Sequence, residues 1–177
     1  MRKFLIEGLL RRPLTETAPK ITDDAVEQLG QRFSDTLYLR LGRSLSIRMV
    51  DAGSCNGCEM EINALANPFY DIERFGLRFV ASPRHADVLM VTGPVTRNMA
   101  EALKRTYDAM PEPKWVVAVG DCARDGGCFA SSYAIVGGVS EVLSVDLHIS
   151  GCPPSPTQLL QGLLALLEHT KTSTEVT

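Results

Sequence analysis

The chain has 177 residues, 45% of them hydrophobic, which is enough for one sizeable core but cramped for two domains. A formal net charge of -3 without a clustered basic face excludes the nucleic-acid binders, so no nucleic acid is expected among its partners. No apolar run of about 18 residues occurs and the start lacks the apolar core and cleavage site of a secretory signal, which points to a cytoplasmic protein.

Residues 1–43 read as an N-terminal helical arm. MRKFLIEGLLRRP is basic and amphipathic: Phe4, Leu5, Leu9 and Leu10, with Arg2, Lys3, Arg11 and Arg12, suit a membrane surface or a partner's flank equally well. A Pro/Thr stretch follows, then helical spacing over 23–43. From residue 44 to 177 the pattern changes to short apolar runs rich in β-branched residues, read as strands at 45–50, 77–80, 87–93, 114–120 and 145–150. Helices are expected at about 58–67, 96–109 and 131–142. PPSPTQLLQGLLALLEHT closes the chain with a Pro-rich start and an i, i+3, i+4 leucine pattern. Alternating strands and helices predict an α/β fold: an open, mainly parallel sheet with helices on both faces.

Five cysteines outside a secretory context argue for metal or redox chemistry over a disulfide framework. Each follows the carboxyl end of an expected strand: Cys55 and Cys58 in DAGSCNGCE, Cys122 and Cys128 in DCARDGGC, Cys152 in GCPP. In open α/β sheets, loops at that end converge on one crevice. Thiolates hold zinc and iron–sulfur clusters, and Cys55, Cys58, Cys122 and Cys152 make up a complete set of four. Gly57 lets the backbone of the first pair come close, Cys58 stands at a helix start that favours negative charge, and Pro153 and Pro154 stiffen the last loop. Cys128, six residues past Cys122, is expected to be a small buried residue near the site rather than a ligand.

Other readings fit less well. A structural zinc site pairs two C-x2-C knuckles at short separation, whereas here one knuckle joins single cysteines 64 and 94 residues beyond Cys58, which leaves zinc secondary. A thioredoxin-like C-x-x-C would leave Cys122 and Cys152 unexplained. Neither G-x-G-x-x-G nor G-x-x-x-x-G-K-[ST] is present for a nucleotide. Asp51, Glu59 and Glu61 flank the first pair: a proton relay is one use of them, a helix's ordinary first-turn acids the other. Lone His85 and His148 read as packed or surface residues, and Arg84 is a cation within sequence reach of a potential-tuning role.

The runs CNGCE, SPRHADVLMVTGPVTRNM, MPEPKWVVAVGDCARDGG and GCPPSP resemble the small subunit of membrane-bound nickel–iron hydrogenases, and are similar to the cluster-bearing 20 kDa subunit of respiratory complex I. The resemblance covers roughly residues 44–168 and includes all four proposed ligands. It implies a flavodoxin-like fold, one 4Fe–4S cluster on Cys55, Cys58, Cys122 and Cys152, no catalytic residue of its own, and packing against a large subunit. In complex I the first two ligands are adjacent in sequence. Here Asn56 and Gly57 separate them, the hydrogenase pattern. The twin-arginine signal and extra cysteines of exported small subunits are absent, which fits energy-converting hydrogenases of the formate hydrogenlyase type. The implied setting is peripheral, on the cytoplasmic face of the cell membrane, with ferredoxin-like and membrane-arm subunits as further partners. The alternative is the same relay in a complex-I-like NADH or ferredoxin:quinone, or sulfur-compound, oxidoreductase.

Overall fold

The computed structural model describes residues 23–169; the basic stretch 1–13 therefore lies outside the described residues. Helix α1 (Asp23–Arg40) leads into strand β1 (Leu45–Asp51) and helix α2 (Gly57–Ala64). Strands β2 (Leu77–Phe79), β3 (Val88–Thr92) and β4 (Val95–Thr96) precede helix α3 (Arg97–Asp108). Strand β5 (Trp115–Val119), the short helix α4 (Asp121–Asp125), strands β6 (Ile135–Gly137) and β7 (Leu147–Ile149) and helix α5 (Pro156–His169) complete the order.

The main sheet runs β2-β1-β3-β5-β7 with every neighbour parallel, the order of a flavodoxin-like doubly wound fold. Parallel strands covered on both faces need apolar residues at successive positions, and all five residues of β3 are buried. Alternation splits the sheet's side chains between two cores. Leu45, Ile47, Met90, Val117 and Val119 face α1, α2 and α5, while Val50, Leu89, Val91, Val116 and Ala118 face α3 and α4.

Helix α1 is part of that structure: Phe33 and Leu37 are buried in the first core, Arg32 meets Glu168 at 3.1 Å, and Arg40 donates to the Glu168 carbonyl at 3.1 Å. Helix α5 begins with Pro156 in its first turn and a reciprocal cap, in which the Ser155 amide donates to Gln158 Oε1 at 2.8 Å and the Gln158 amide to Ser155 Oγ at 3.4 Å. Its leucines at 159, 160, 163, 164, 166 and 167 are all buried.

One expected element differs. In place of a helix over 131–142 the chain forms β6, antiparallel to β4, and a single 3-10 turn at Val139–Glu141. The Gly137–Gly138 pair interrupts the helical spacing, and Gly138 lies so close to Arg124 that a Cβ there would stand 2.1 Å from its carbonyl oxygen.

Candidate metal centre

Cys55 lies in the β1–α2 loop, Cys58 in the first turn of α2, Cys122 in the first turn of α4 after β5, and Cys152 in the β7–α5 loop. All four expected ligands therefore stand at the carboxyl ends of the strands. They border one cavity of about 80 Å³, together with Ser54 and Asp121. Cys55 and Cys152 are exposed, whereas Cys58 and Cys122 are half-buried.

Each loop is held in shape by its own hydrogen bonds. Asp51 Oδ1 accepts from the amides of Gly53 at 2.8 Å and Ser54 at 2.7 Å, and Ser54 Oγ accepts from the Asn56 amide at 3.1 Å. Asn56 adopts the left-handed conformation (φ 71°), which turns the chain sharply between Cys55 and the helix bearing Cys58. The second and third loops are tied to each other: the Asp121 amide donates to the Gly151 carbonyl at 3.0 Å, and the Gly151 amide returns to Asp121 Oδ1 at 3.2 Å. Gly120 is required where the loops meet. Its φ is +87°, and a Cβ there would stand 2.7 Å from Cys58 Sγ.

The electrostatics follow from this crowding. Burial first, then the negative charge of Glu59 and of the other three thiols, pushes Cys58 up to about 12. Cys122 is also raised, by burial first and then by Cys128, Cys152 and Cys55. Cys58 and Cys122, both held back from ionising, belong to a four-thiol donor set that a cationic group stabilises, because metal binding replaces thiol protons. Among the described residues no three His, Cys, Asp or Glu side chains gather tightly enough to hold one metal ion. The four thiols ring one cavity and make up the soft donor set that zinc or an iron–sulfur cluster takes.

The remaining sequence candidates fall elsewhere. Cys128 lies beside the site as expected but is exposed rather than buried: its backbone amide donates to Cys122 and its thiol weighs on Cys122 more than the other thiols do, while it does not line the cavity. Asp51 is taken up by its own loop. Arg84 and His85 lie in a turn ahead of β3, at the amino end of the sheet and remote from the cysteines, and His148 is exposed. Glu59 is only 4% exposed, and neither of its carboxylate oxygens has a partner. Asp121, which links two ligand loops, escaped the sequence reading although it directly precedes a candidate ligand.

Residues 55–166 match the family model of the NADH ubiquinone oxidoreductase 20 kDa subunit. The chain belongs to this family. Among its relatives, formate hydrogenlyase subunit 7 of Escherichia coli is 40% identical over 154 residues, 85% of this chain and 59% of that protein, so the chain spans less than two thirds of it. The probable membrane-bound hydrogenase subunit mbhJ of Pyrococcus furiosus is 45% identical over 128 residues, 72% of this chain and 77% of that protein. Among solved structures, an archaeal membrane-bound sulfane sulfur reductase superposes with a TM-score of 0.64 at 33% identity, covering 77% of this chain and 73% of that one. The chain is thus a member of a family of hydrogenase-like and complex-I-like oxidoreductase subunits. Among the described residues no helix is long and apolar enough to cross a membrane.

Proposed function

We propose that Cys55, Cys58, Cys122 and Cys152 hold one 4Fe–4S cluster and that the chain serves as an electron-transfer subunit of a membrane-bound hydrogenase complex. The observation that carries this reading is the convergence of four thiols from three separate post-strand loops on one cavity. Bound there, the cluster supplies a one-electron carrier between ferredoxin-like subunits and the nickel–iron site of a large partner subunit. The chain's own residues fix the geometry around it. Asp51 and Asn56 shape the first ligand loop, the Asp121–Gly151 bonds lock the other two together, and Gly120 keeps side-chain bulk away from Cys58. The subunit sits peripherally on the cytoplasmic face of the cell membrane, beside membrane-arm subunits.

A second reading, the same relay in a complex that reduces a sulfur compound or a quinone, is favoured by the likeness to the sulfane sulfur reductase. Nickel analysis of the purified complex, with assays of hydrogen evolution and sulfane reduction, separates the two. Iron and sulfide analysis with electron paramagnetic resonance of the reduced protein tests the cluster itself. Four irons per chain are expected, falling to near zero in Cys58→Ser or Cys122→Ser and unchanged in Cys128→Ser. Bound zinc without a paramagnetic signal overturns the assignment.

A further inference from the structure

On its outer edge β1 is covered for only part of its length. Its ladder with β2 runs from Leu45 opposite Leu77 to Ile47 opposite Phe79, and the last bond is from the Val80 amide to the Ile47 carbonyl at 2.8 Å. Backbone groups of a strand alternate between its two edges, so the amide and carbonyl of Met49 point to the same edge as those of Ile47. By then the β2 chain has turned away, and no backbone partner meets Met49 there among the described residues. A cavity of about 380 Å³ fills the wedge, walled by Met49, Ile62, Phe79 and Val80 and bordered by Arg48 and Asn63. Arg48 takes part in no ion pair among the described residues, and its buried Nε has no hydrogen-bond partner.

An open strand edge, an apolar wall and an unmatched cationic donor together specify the occupant. Extended backbone satisfies Met49, an apolar side chain fills the wedge, and a carboxylate meets the guanidinium. We propose that the open half of β1 receives an extended segment of a partner polypeptide as an added strand, with an Asp or Glu of that segment on Arg48. Other occupants match less well. The chain's own residues 1–22 contain five Lys and Arg against two Glu, and residues 170–177 one Lys against one Glu, so neither stretch offers Arg48 an excess of carboxylate. A second copy paired edge to edge across a two-fold axis would bring two Arg48 side chains together. A small amphiphile would leave the Met49 backbone unpaired.

The site needs a protein partner but neither a cluster nor nickel, so its test is independent of the function proposed above. A photo-reactive benzophenone amino acid placed at exposed Ala81, in the full chain purified within its native complex, reports the neighbour by mass spectrometry. A single dominant cross-link is expected, to a segment of a stoichiometric partner polypeptide with an acidic residue close by. Amide exchange over residues 47–51 should slow at least tenfold in the complex relative to the free chain. Arg48→Met should weaken binding of that segment, made as a synthetic peptide, at least tenfold while iron content stays unchanged, and Arg48→Lys should recover part of the loss. Cross-links to residues 1–22 or 170–177 of this chain or to a second copy, an absence of any polypeptide adduct, or unchanged exchange over 47–51 in the complex would each overturn the proposal.

Discussion

At the amino ends of the strands, Asp87 is buried and fully partnered: Oδ2 accepts from the Ser46 amide at 2.9 Å, and the two oxygens take Arg43 as a fork at 2.8 and 2.6 Å. At the carboxyl ends, Glu59 is buried with neither oxygen paired, Asn56 and Gly120 hold positive φ, and Cys58 and Cys122 are both held back from ionising. One end obeys the rule that buried polar groups find partners; at the other the Glu59 carboxylate breaks it, beside turns of positive φ and crowded thiols. Such departures gather where a site has to be held open for something the chain alone does not contain.

Three substitutions test this contrast. Removing the amino-end anchor by Asp87→Ala leaves the Ser46 amide and Arg43 without their acceptor. It should cost about 3 kcal/mol, seen as a drop of about 10 °C in Tm, with iron bound normally in the chain that remains folded. A loss of iron equal to that of a cysteine variant would show the two ends to be one unit. Gly120→Ala puts a Cβ against Cys58 Sγ at positive φ; a cost of about 2 kcal/mol is expected, with a clear fall in iron per chain. Full iron occupancy in that variant would mean that the carboxyl-end loops yield more easily than their bonding implies. Glu59→Met substitutes an apolar group for the unpaired carboxylate and should raise the stability of the free chain by about 1 kcal/mol in urea unfolding. A loss instead would reveal a partner for Glu59 and weaken the contrast.

Much of this was legible in the sequence, because the signals were local. The apolar runs at 87–93 and 114–120 became β3 and β5, and the leucine pattern after GCPPSP became α5. The post-strand positions of Cys55, Cys58, Cys122 and Cys152 follow from the strands once these are placed. What stayed hidden depends on distant partners. Strand β6 exists because Val95 and Thr96 lie beside it, a contact no window around residue 135 contains. Arg43 and Asp87 meet across 44 residues, and Asp121 meets Gly151 across 30. The exposure of Cys128 is set by the direction of a glycine turn, whereas composition alone favours a buried thiol.

The latch between Asp121 and Gly151 also bears on how the subunit is made. Cys122 gains its neighbour Cys152 only after β7 has taken its place beside β5, and β7 comes latest in the chain of the main sheet's described strands. The four-thiol cavity is therefore complete only when that sheet is nearly finished. Of its four thiols, Cys55 and Cys152 remain open to solvent, on two different loops. A chain in which β7 has not yet docked holds Cys55, Cys58 and Cys122 without Cys152, so the cavity lacks one wall until the sheet is whole.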